Sequence, residues 1–202
     1  MQKDQQQEKE ISLKDYFVPF TTLKAIHFII IIGFIVFGNA LFNGFVGDDS
    51  GQLVQNNFVH SAQNIPTFFL NSTFDSGNGI AGVYYKPLLL TTFSLIYSAF
   101  GPTPFFFHLI QILLHISNGL LLFFLFRKFI NKEWAFFLSV VFLVHPINQD
   151  TAAYISNYQD ALFFFFGMFA LLVSTSRKIK YSNLIAFSLL TLSILSKETG
   201  II

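Results

Sequence analysis

Cysteine is absent from this chain of 202 residues, and charged residues make up only 11% of it. The lack of cysteine excludes disulfides, thiolate catalysis and cysteine-ligated metals. A soluble domain carries about 25% charged residues, so the charge here is too low for an ordinary cytosolic globule or a disordered chain. The formal net charge of +1 creates no field that would attract nucleic acid, and we expect no nucleic-acid partner.

Apolar residues take the place of the missing charge. They make up 53% of the chain, phenylalanine alone supplies 29 residues, and the mean hydropathy is +0.57. Long apolar runs of this kind indicate a helical membrane protein. We therefore predict an all-α membrane protein, a polytopic helical bundle with about five spans and an interfacial helix in the first outer loop.

Five apolar segments are candidate spans. They cover about residues 23–42, 105–126, 134–144, 151–174 and 184–195. The third is too short to cross, so it must extend past Pro146, cross obliquely or end in a protein-lined cavity. A further apolar stretch at 87–100 predicts an interfacial or re-entrant helix, because about 14 residues are too few to span the membrane.

Basic residues set the predicted orientation. They cluster in the loops after the second and fourth spans: Arg127, Lys128, Lys132, Arg177, Lys178 and Lys180. The positive-inside rule makes these loops cytoplasmic and places the first outer loop, about 43–104, on the opposite side. Segment 1–22 is predicted to be a polar cytoplasmic N-terminal segment, and 23–202 an incomplete transmembrane domain. Short loops and composition favour a bacterial inner membrane over the endoplasmic reticulum.

Two adjacent carboxylates, Asp48 and Asp49, directly follow the first span. A carboxylate partly shielded from water at a membrane surface is suited to act as a general base. The surrounding segment 47–51 also has ordinary turn composition, so a solvated turn is the alternative interpretation. Taken alone, the two adjacent carboxylates favour the interpretation as a solvated turn.

Lys86 is the only basic residue between Lys24 and Arg127. It stands directly before Pro87, which suits the first turn of a helix. A cation beside helix N–H groups would form a phosphate site. A lysine that extends its ammonium to the membrane interface is the competing interpretation, and the sequence favours neither.

Four polar residues form a stripe on the second span: His108, Gln111, His115 and Asn118. Their spacing places them on one face of the helix, which should be directed into the bundle. We interpret the stripe as hydrogen bonding between helices. A metal site is disfavoured, because His108 and His115 lie about 10 Å apart along the helix axis and the span contains no carboxylate.

The remaining candidates follow the third and fifth spans: His145, Asp150, Asp160, Lys197 and Glu198. Asp150 has an alternative role as a helix N-cap. Asp160 lies within an apolar span, where a carboxylate needs a partner or contact with water. Lys197 and Glu198 are adjacent and need separate partners, since neighbouring residues on a helix do not face each other.

Six short motifs occur in a fixed order along residues 25–202. They are Gly47-Asp48-Asp49, Tyr85-Lys86-Pro87-Leu88, Phe107-His108-Leu109 through His115, His145-Pro146 with Asp150, Asn157-Tyr158-Gln159-Asp160, and Ser196-Lys197-Glu198. In this order they resemble the GT-C glycosyltransferases. The closest resemblance is to transmembrane O-mannosyltransferases with C-terminal tetratricopeptide repeats and to their bacterial relatives. This sequence departs from that pattern in having Lys86 for an arginine, Asp150 for a glutamate, and Asn157-Tyr158-Gln159 where the family has Gly-Arg-Ala.

The resemblance implies an inverting enzyme that transfers a sugar, mannose by likeness, from a polyprenyl-phosphate donor to a hydroxyl of a protein, glycan or lipid. It implies that Asp48 is the catalytic base, assisted by Asp49, and that Lys86 and Lys197 bind the lipid phosphate. Asp160, Asp150, His145 and Glu198 would position the sugar or the acceptor. The chemistry requires no metal or other cofactor, and a divalent ion near Asp48 and Asp49 is left open.

Two other functions compete with this one. A transporter or channel predicts ionisable groups spread through the membrane depth, whereas the carboxylates here are predicted to cluster on the outer side. A non-catalytic membrane subunit or degenerate homologue is disfavoured because both Asp48 and Lys86 are present.

Overall fold

A computed structural model describes residues 20–70, 72–73, 84–176 and 179–197. Within these ranges all regular structure is helical, as predicted for an all-α membrane protein. Most of the predicted N-terminal segment 1–22, and the predicted site residue Glu198, lie outside the described residues.

The described residues form eight α-helices joined by short 3₁₀ turns and one π turn. The α-helices are α1 (Thr22–Phe37), α2 (Ile65–Phe68), α3 (Pro87–Phe100), α4 (Pro104–Phe126), α5 (Lys132–Val144), α6 (Gln149–Ala153), α7 (Tyr158–Ser174) and α8 (Ser182–Ser196). The 3₁₀ turns are Gly38–Phe42, Asn57–His60, Ala62–Asn64, Pro146–Asn148 and Ile155–Asn157, and the π turn is Ser50–Val54.

Local sequence sets where these helices begin and end. Pro87 and Pro104 occupy the first turns of α3 and α4, where the missing N–H costs no hydrogen bond. Gly101 ends α3 with a φ of +68°, a conformation that favours glycine. The Asn131 side chain caps α5 by accepting the Trp134 N–H at 3.0 Å. The predicted boundaries of α3 and α4 are therefore confirmed.

Three helical stretches are long and apolar enough to cross a membrane, within the part of the chain that the structure describes. They are Thr22–Phe42, Pro104–Phe126 and Ile155–Ser174, which correspond to the first, second and fourth predicted spans. The other two predicted spans are α5 and α8, with 13 and 15 residues. At 1.5 Å per residue these helices are about 20 and 22 Å long, short of a hydrocarbon core of about 30 Å.

The short third span ends in one of the three ways that its length allowed. Helix α5 stops at Val144, and Phe142 in its last turn borders a cavity that is partly open. The C-terminal end of α8 and the N-terminal end of α7 border the same cavity, through Lys197 and Asp160. Three helix ends therefore meet at one protein-lined hollow, which is where non-helical backbone is tolerated at membrane depth.

The helices alternate in direction through the bundle, as the predicted path requires. Gly33 of α1 packs so closely against Ile116 of α4 that an added Cβ would lie 2.4 Å from its side chain. Leu143 at the end of α5 contacts His115 of α4, and Ser193 of α8 donates a hydrogen bond to the Phe163 carbonyl of α7. We call the end of the bundle with Asp48 the Asp48 end, and the opposite end the Arg127 end.

One apolar core joins the first loop to α3, α4 and the start of α7. Its fully buried members include Leu53, Val59, Leu89, Phe107 and Tyr158. A second core joins α1, α4 and α5 around Ile29, Ile112 and Leu143. The loop that carries Asp48 and Asp49 is therefore packed onto the helices at the Asp48 end.

The predicted fourth span, 151–174, is wrong at its start. The chain is interrupted at Tyr154, whose backbone is extended with φ −106° and ψ 112°, and α7 begins at Tyr158. The interruption frees the Tyr154 carbonyl, which accepts a hydrogen bond of 2.7 Å from the Gln111 side chain. A polar contact with α4 thus replaces helix continuity at this point.

Candidate functional site

Asp49 is fully buried, with 0% of its surface exposed. Its Oδ2 atom accepts the Val46 backbone N–H at 2.9 Å, and its Oδ1 atom accepts both the backbone N–H (2.8 Å) and the hydroxyl of Ser156. Hydrogen bonds to a charged acceptor are stronger than those between neutral groups. Asp49 therefore ties the first loop to the segment that precedes α7.

Asp48, one residue earlier, has the opposite environment. Its side chain is exposed, while its backbone N–H donates to the Tyr154 hydroxyl at 2.8 Å. Gly47 precedes it with a φ of +54°, and a Cβ added there would lie 2.8 Å from the same hydroxyl. Glycine is thus required for Tyr154 to hold the loop, and the loop presents the Asp48 carboxylate outward.

The contacts of Asp48, Asp49, Tyr154 and Ser156 form what we call the loop junction. Both Asp49 oxygens are already engaged there, so a divalent ion beside the two acids would find only the Asp48 carboxylate available. Among the described residues, no group of three or more histidines and carboxylates is placed to hold a metal ion.

Lys86 lies at the N-cap position of α3 and is 9% exposed. Its ammonium nitrogen is 4.7 Å from the centre of the Tyr84 ring, a contact that stabilises a cation. Leu89 and Leu90, one turn later, belong to the same core as Leu53 of the first loop. Lys86 and Asp48 therefore both flank one core, while their convergence on a shared ligand stays a prediction.

Asp160 and Lys197 form an ion pair between the first turn of α7 and the residue after α8. Their side chains are 26% and 29% exposed, so the pair is in contact with the open space beside it. That space is a cavity of about 400 Å³, whose lining is His115, Asn118, Phe142, Asn148, Thr151, Asp160, Phe163, Phe164 and Lys197. We call it the ion-pair cavity.

The polar stripe on α4 faces the bundle interior, as predicted, since all four of its residues are buried. Gln111 donates to the Thr151 and Tyr154 carbonyls, and the Asn118 amide donates to the Ala161 carbonyl at 3.0 Å. His115 Nε2 lies 2.9 Å from the Leu143 carbonyl. Hydrogen bonding between helices is confirmed for these three residues.

The ion-pair cavity lies beside the middle of α4. His115 lies midway along α4, about 16 Å from its first residue. Asn118, one turn further, bonds to Ala161, the neighbour of Asp160. Asp160 therefore lies level with the middle of α4, although it belongs to the first turn of α7, and its place relative to the membrane surface stays a prediction.

His145 and Asp150 occupy the exposed surface of the Asp48 end. The His145 ring caps a 3₁₀ turn, with Nδ1 accepting the Ile147 N–H at 3.2 Å, and it lines a groove of about 300 Å³ that includes Asn39 and Asn43. The alternative role of Asp150 as an N-cap is wrong. Asn148 holds the N-cap position of α6, and Asp150 lies in the first turn.

The loop junction and the ion-pair cavity are close along the chain. Ser156, which binds Asp49, precedes Asp160 by four residues, a rise of about 6 Å in helical geometry. Tyr154 and Ser156 were not among the predicted site residues. Their partners lie 106 and 107 residues away, and a tyrosine and a serine near an apolar segment carry no signal in one sequence.

These features define a multi-pass helical membrane protein with a charged cavity and a carboxylate-bearing loop. No protein-family profile and no solved structure matches the chain. The chain is, however, similar to several protein O-mannosyl-transferases. It is 26% identical over 187 residues to the human protein TMTC3, a match that covers 89% of this chain.

Two other relatives carry similar names. The chain is 33% identical over 132 residues to human protein O-mannosyl-transferase TMTC1, and 27% identical over 125 residues to Tmtc1 of Drosophila melanogaster. These matches cover 62% and 60% of this chain. The chain spans only 20% of the length of human TMTC3 and 15% of each TMTC1 protein. The resemblance to GT-C-like O-mannosyltransferases is thereby confirmed for the region that the chain covers.

Proposed function

We propose that this chain forms part of a glycosyltransferase that transfers a hexose, mannose by similarity to its relatives, from a polyprenyl-phosphate donor to a hydroxyl acceptor. The observation that carries the proposal is the loop junction. It fixes the backbone on both sides of Asp48 through Tyr154 and Asp49 and leaves the Asp48 carboxylate exposed. A general base must be held within hydrogen-bond reach of the proton that it removes, and the junction holds the backbone that carries this accessible carboxylate.

In the proposed reaction, Asp48 removes the proton from the acceptor hydroxyl while that oxygen attacks the anomeric carbon of the sugar. A new carbon–oxygen bond forms on one face of the ring, and the bond to the phosphate oxygen breaks on the other. The electron pair of the broken bond leaves with the polyprenyl phosphate, and the configuration inverts. The acceptor is a serine or threonine of a protein by similarity to the relatives, with a glycan or lipid hydroxyl as the alternative.

Lys86 is proposed to neutralise the charge that develops on the departing phosphate. Its buried position beside the Tyr84 ring and at the start of α3 supports this role, because a shielded cation interacts more strongly than one in water. Lys197 is a less direct candidate for the phosphate than the sequence indicated, since its charge is already paired with Asp160. The reaction is proposed for the non-cytoplasmic face, in a bacterial inner membrane.

A transfer assay tests this proposal. Membranes that contain the full-length protein are supplied with a radiolabelled polyprenyl-phosphate hexose and a serine- and threonine-rich acceptor peptide. We expect Asp48→Asn to lower the transfer rate by about 10²–10⁴-fold, since that is the usual contribution of a general base. Glu133→Gln, an exposed acid near the Arg127 end, is the matched control and should keep full activity. Undiminished transfer by Asp48→Asn would refute the proposed base.

Transport is a second candidate function, favoured by the depth of the Asp160–Lys197 pair. Ionisable groups level with the middle of a span are typical of substrate and ion pathways. Proteoliposomes loaded with a hexose or with a pH-sensitive dye separate the two functions. Flux that depends on Asp160, with no sugar transfer in the same preparation, would favour the transporter.

A further inference from the structure

Gln111 of α4 is fully buried and contacts the point where the chain is interrupted between α6 and α7. Its Nε2 atom donates to the Thr151 carbonyl at 2.9 Å and to the Tyr154 carbonyl at 2.7 Å. Carbonyls in the last turn of a helix have no partner within that helix, and both of these lie at the end of α6. One amide group with two N–H bonds therefore fastens the end of α6 to α4.

The same segment carries the loop junction. The Tyr154 hydroxyl accepts the Asp48 N–H at 2.8 Å, and the N–H of Ser156, two residues later, donates to Asp49 at 2.8 Å. The contact at Tyr154 has little free space, because a Cβ added to Gly47 would lie 2.8 Å from the hydroxyl. A displacement of the Tyr154 backbone is therefore transmitted to the loop, since close packing leaves no gap that could absorb it.

Helix α6 cannot fix the position of this segment by itself. It has five residues, and a helix this short depends on tertiary contacts for its stability. Helix α4, by contrast, has 23 residues and contributes to both apolar cores. It also contacts the loop directly, since Phe107, one turn before Gln111, packs edge-to-face on Phe45 with ring centres 5.6 Å apart. Helix α4 is therefore the common support of the loop and of the segment that holds the loop.

We propose that Gln111 is a positioning residue for Asp48. By holding the Tyr154 backbone against α4, its amide sets the place at which the Tyr154 hydroxyl holds the Asp48 N–H. Gln111 is 0% exposed, so it acts through Tyr154 and not by contact with a substrate. The proposal rests on the proposed function in naming Asp48 as the base, whereas the hold on the loop can be measured without any substrate.

Hydrogen exchange of backbone amides, measured by mass spectrometry on the full-length protein in nanodiscs, tests the hold on the loop. Gln111→Met keeps the length of the side chain and removes both donors, whereas Gln111→Asn keeps the amide on a shorter stem. Ser193→Ala is the matched control. It removes a different buried donor that joins two helices, through a bond of 2.8 Å from α8 to the Phe163 carbonyl of α7.

We expect the Asp48 and Ser156 amides to exchange about tenfold faster in Gln111→Met, since two hydrogen bonds to their segment are lost. The amides of α8 should keep their wild-type rates, and Ser193→Ala should do the reverse. Unchanged rates at Asp48 and Ser156, or an equal rise at the junction and in α8, would overturn the proposal. If Gln111→Met does not fold, Gln111→Asn decides by the same comparison, with a smaller rise expected because its amide cannot keep both contacts.

Transfer kinetics separate positioning from a loss of stability. A displacement of about 1 Å can cost about 10²-fold in rate, so we expect Gln111→Met to lower kcat by about 10- to 100-fold. The KM for the polyprenyl-phosphate hexose should change by less than about twofold, because donor binding is not affected. In Asp48→Asn protein the same substitution should have no further effect on the residual rate, since it acts through Asp48. Ser193→Ala should keep the wild-type kcat.

The kinetic outcomes distinguish failure of this proposal from failure of the proposed function. A loss of rate that is as large in Asp48→Asn protein as in the wild type would overturn the positioning role and leave the proposed base in place. A rise in KM with unchanged kcat would do the same. Undiminished transfer by Asp48→Asn would refute the base, and the positioning of that base with it.

Discussion

The loop junction and the ion-pair cavity each contain one acid, yet the two acids differ in the partners that satisfy them. Asp49 is 0% exposed and receives three hydrogen bonds from the protein itself. Asp160 is 26% exposed, pairs with Lys197 and borders an open cavity. The protein itself engages both oxygens of Asp49, whereas Asp160 keeps contact with open space.

This difference shows why burial alone does not identify a functional acid. The carboxylate that is most completely removed from water acts here as a structural tie, and its exposed neighbour Asp48 is the proposed base. A site that binds a ligand should keep part of its hydrogen-bonding capacity unused. By that criterion the cavity, and the outward face of the loop at Asp48, are where chemistry is to be sought.

The largest expected change in the free energy of unfolding distinguishes Asp49 from its neighbour Asp48. Asp49→Asn places an amide opposite the Val46 and Ser156 donors, and we expect the free energy of unfolding to fall by about 3 kcal/mol. Asp48→Asn makes the same chemical change on an exposed side chain and should leave stability unchanged. Unfolding by SDS titration in mixed micelles measures both. Equal stabilities for the two variants would show that Asp49 is not a structural tie.

A smaller effect is expected at Gly47. An alanine there must adopt a φ near +54° and place its Cβ 2.8 Å from the Tyr154 hydroxyl, which we expect to cost about 2 kcal/mol. Gly44→Ala is the control, because no atom lies within 4 Å of its added Cβ. The same titration compares them, and a Gly47→Ala protein as stable as Gly44→Ala would mean that the junction is looser than its geometry indicates.

The interaction energy between Asp160 and Lys197 should be smaller than the stabilisation that Asp49 gives to the loop junction. A double-mutant cycle of Asp160→Asn and Lys197→Met is expected to give about 1 kcal/mol, since both side chains are more than a quarter exposed. Sugar-lipid affinity, measured on the same four proteins, should fall with Asp160→Asn. A coupling energy above about 3 kcal/mol would make this pair as structural as Asp49 and weaken the contrast between the two sites.

The smallest effect is expected for Tyr154→Phe. The substitution removes the hydroxyl that accepts the Asp48 N–H, but this donor is exposed and water replaces the lost partner. We expect the free energy of unfolding to fall by about 0.5 kcal/mol. The transfer rate should fall by more than this small loss of stability would explain, because the loop then holds Asp48 less firmly. If the rate stays at the wild-type value, Tyr154 has no positioning role.

Much of the fold could be predicted from the sequence because its signals are local. Pro87, Pro104 and Gly101 mark helix boundaries through their backbone restrictions, and the spacing of the stripe on α4 identified its inward face. The short length of the third span already implied a cavity as one of three outcomes. Each of these inferences needs only residues within one helix or one turn.

The sites were harder to predict because they depend on pairs that are distant in sequence. Nothing local in the sequence indicates that Asp49 binds Ser156 or that Lys197 binds Asp160. The first contact makes Asp49 a structural tie, and the second makes Lys197 a less direct candidate for the phosphate. The break at Tyr154 was missed for the same reason. Its extended backbone is stabilised by Gln111 of another helix, while its own neighbours read as a continuous span.

The short helices α5 and α8 have a consequence for the surrounding lipid. A helix of 15 residues falls about 8 Å short of a typical hydrocarbon core, and such hydrophobic mismatch thins the bilayer or draws water beside the helix. Thinning at this side of the bundle would bring the lipid phosphates closer to the level of Lys197. Under the proposed function, a donor anchored in the leaflet would then approach from the side of α8, with its headgroup still hydrated for most of the path.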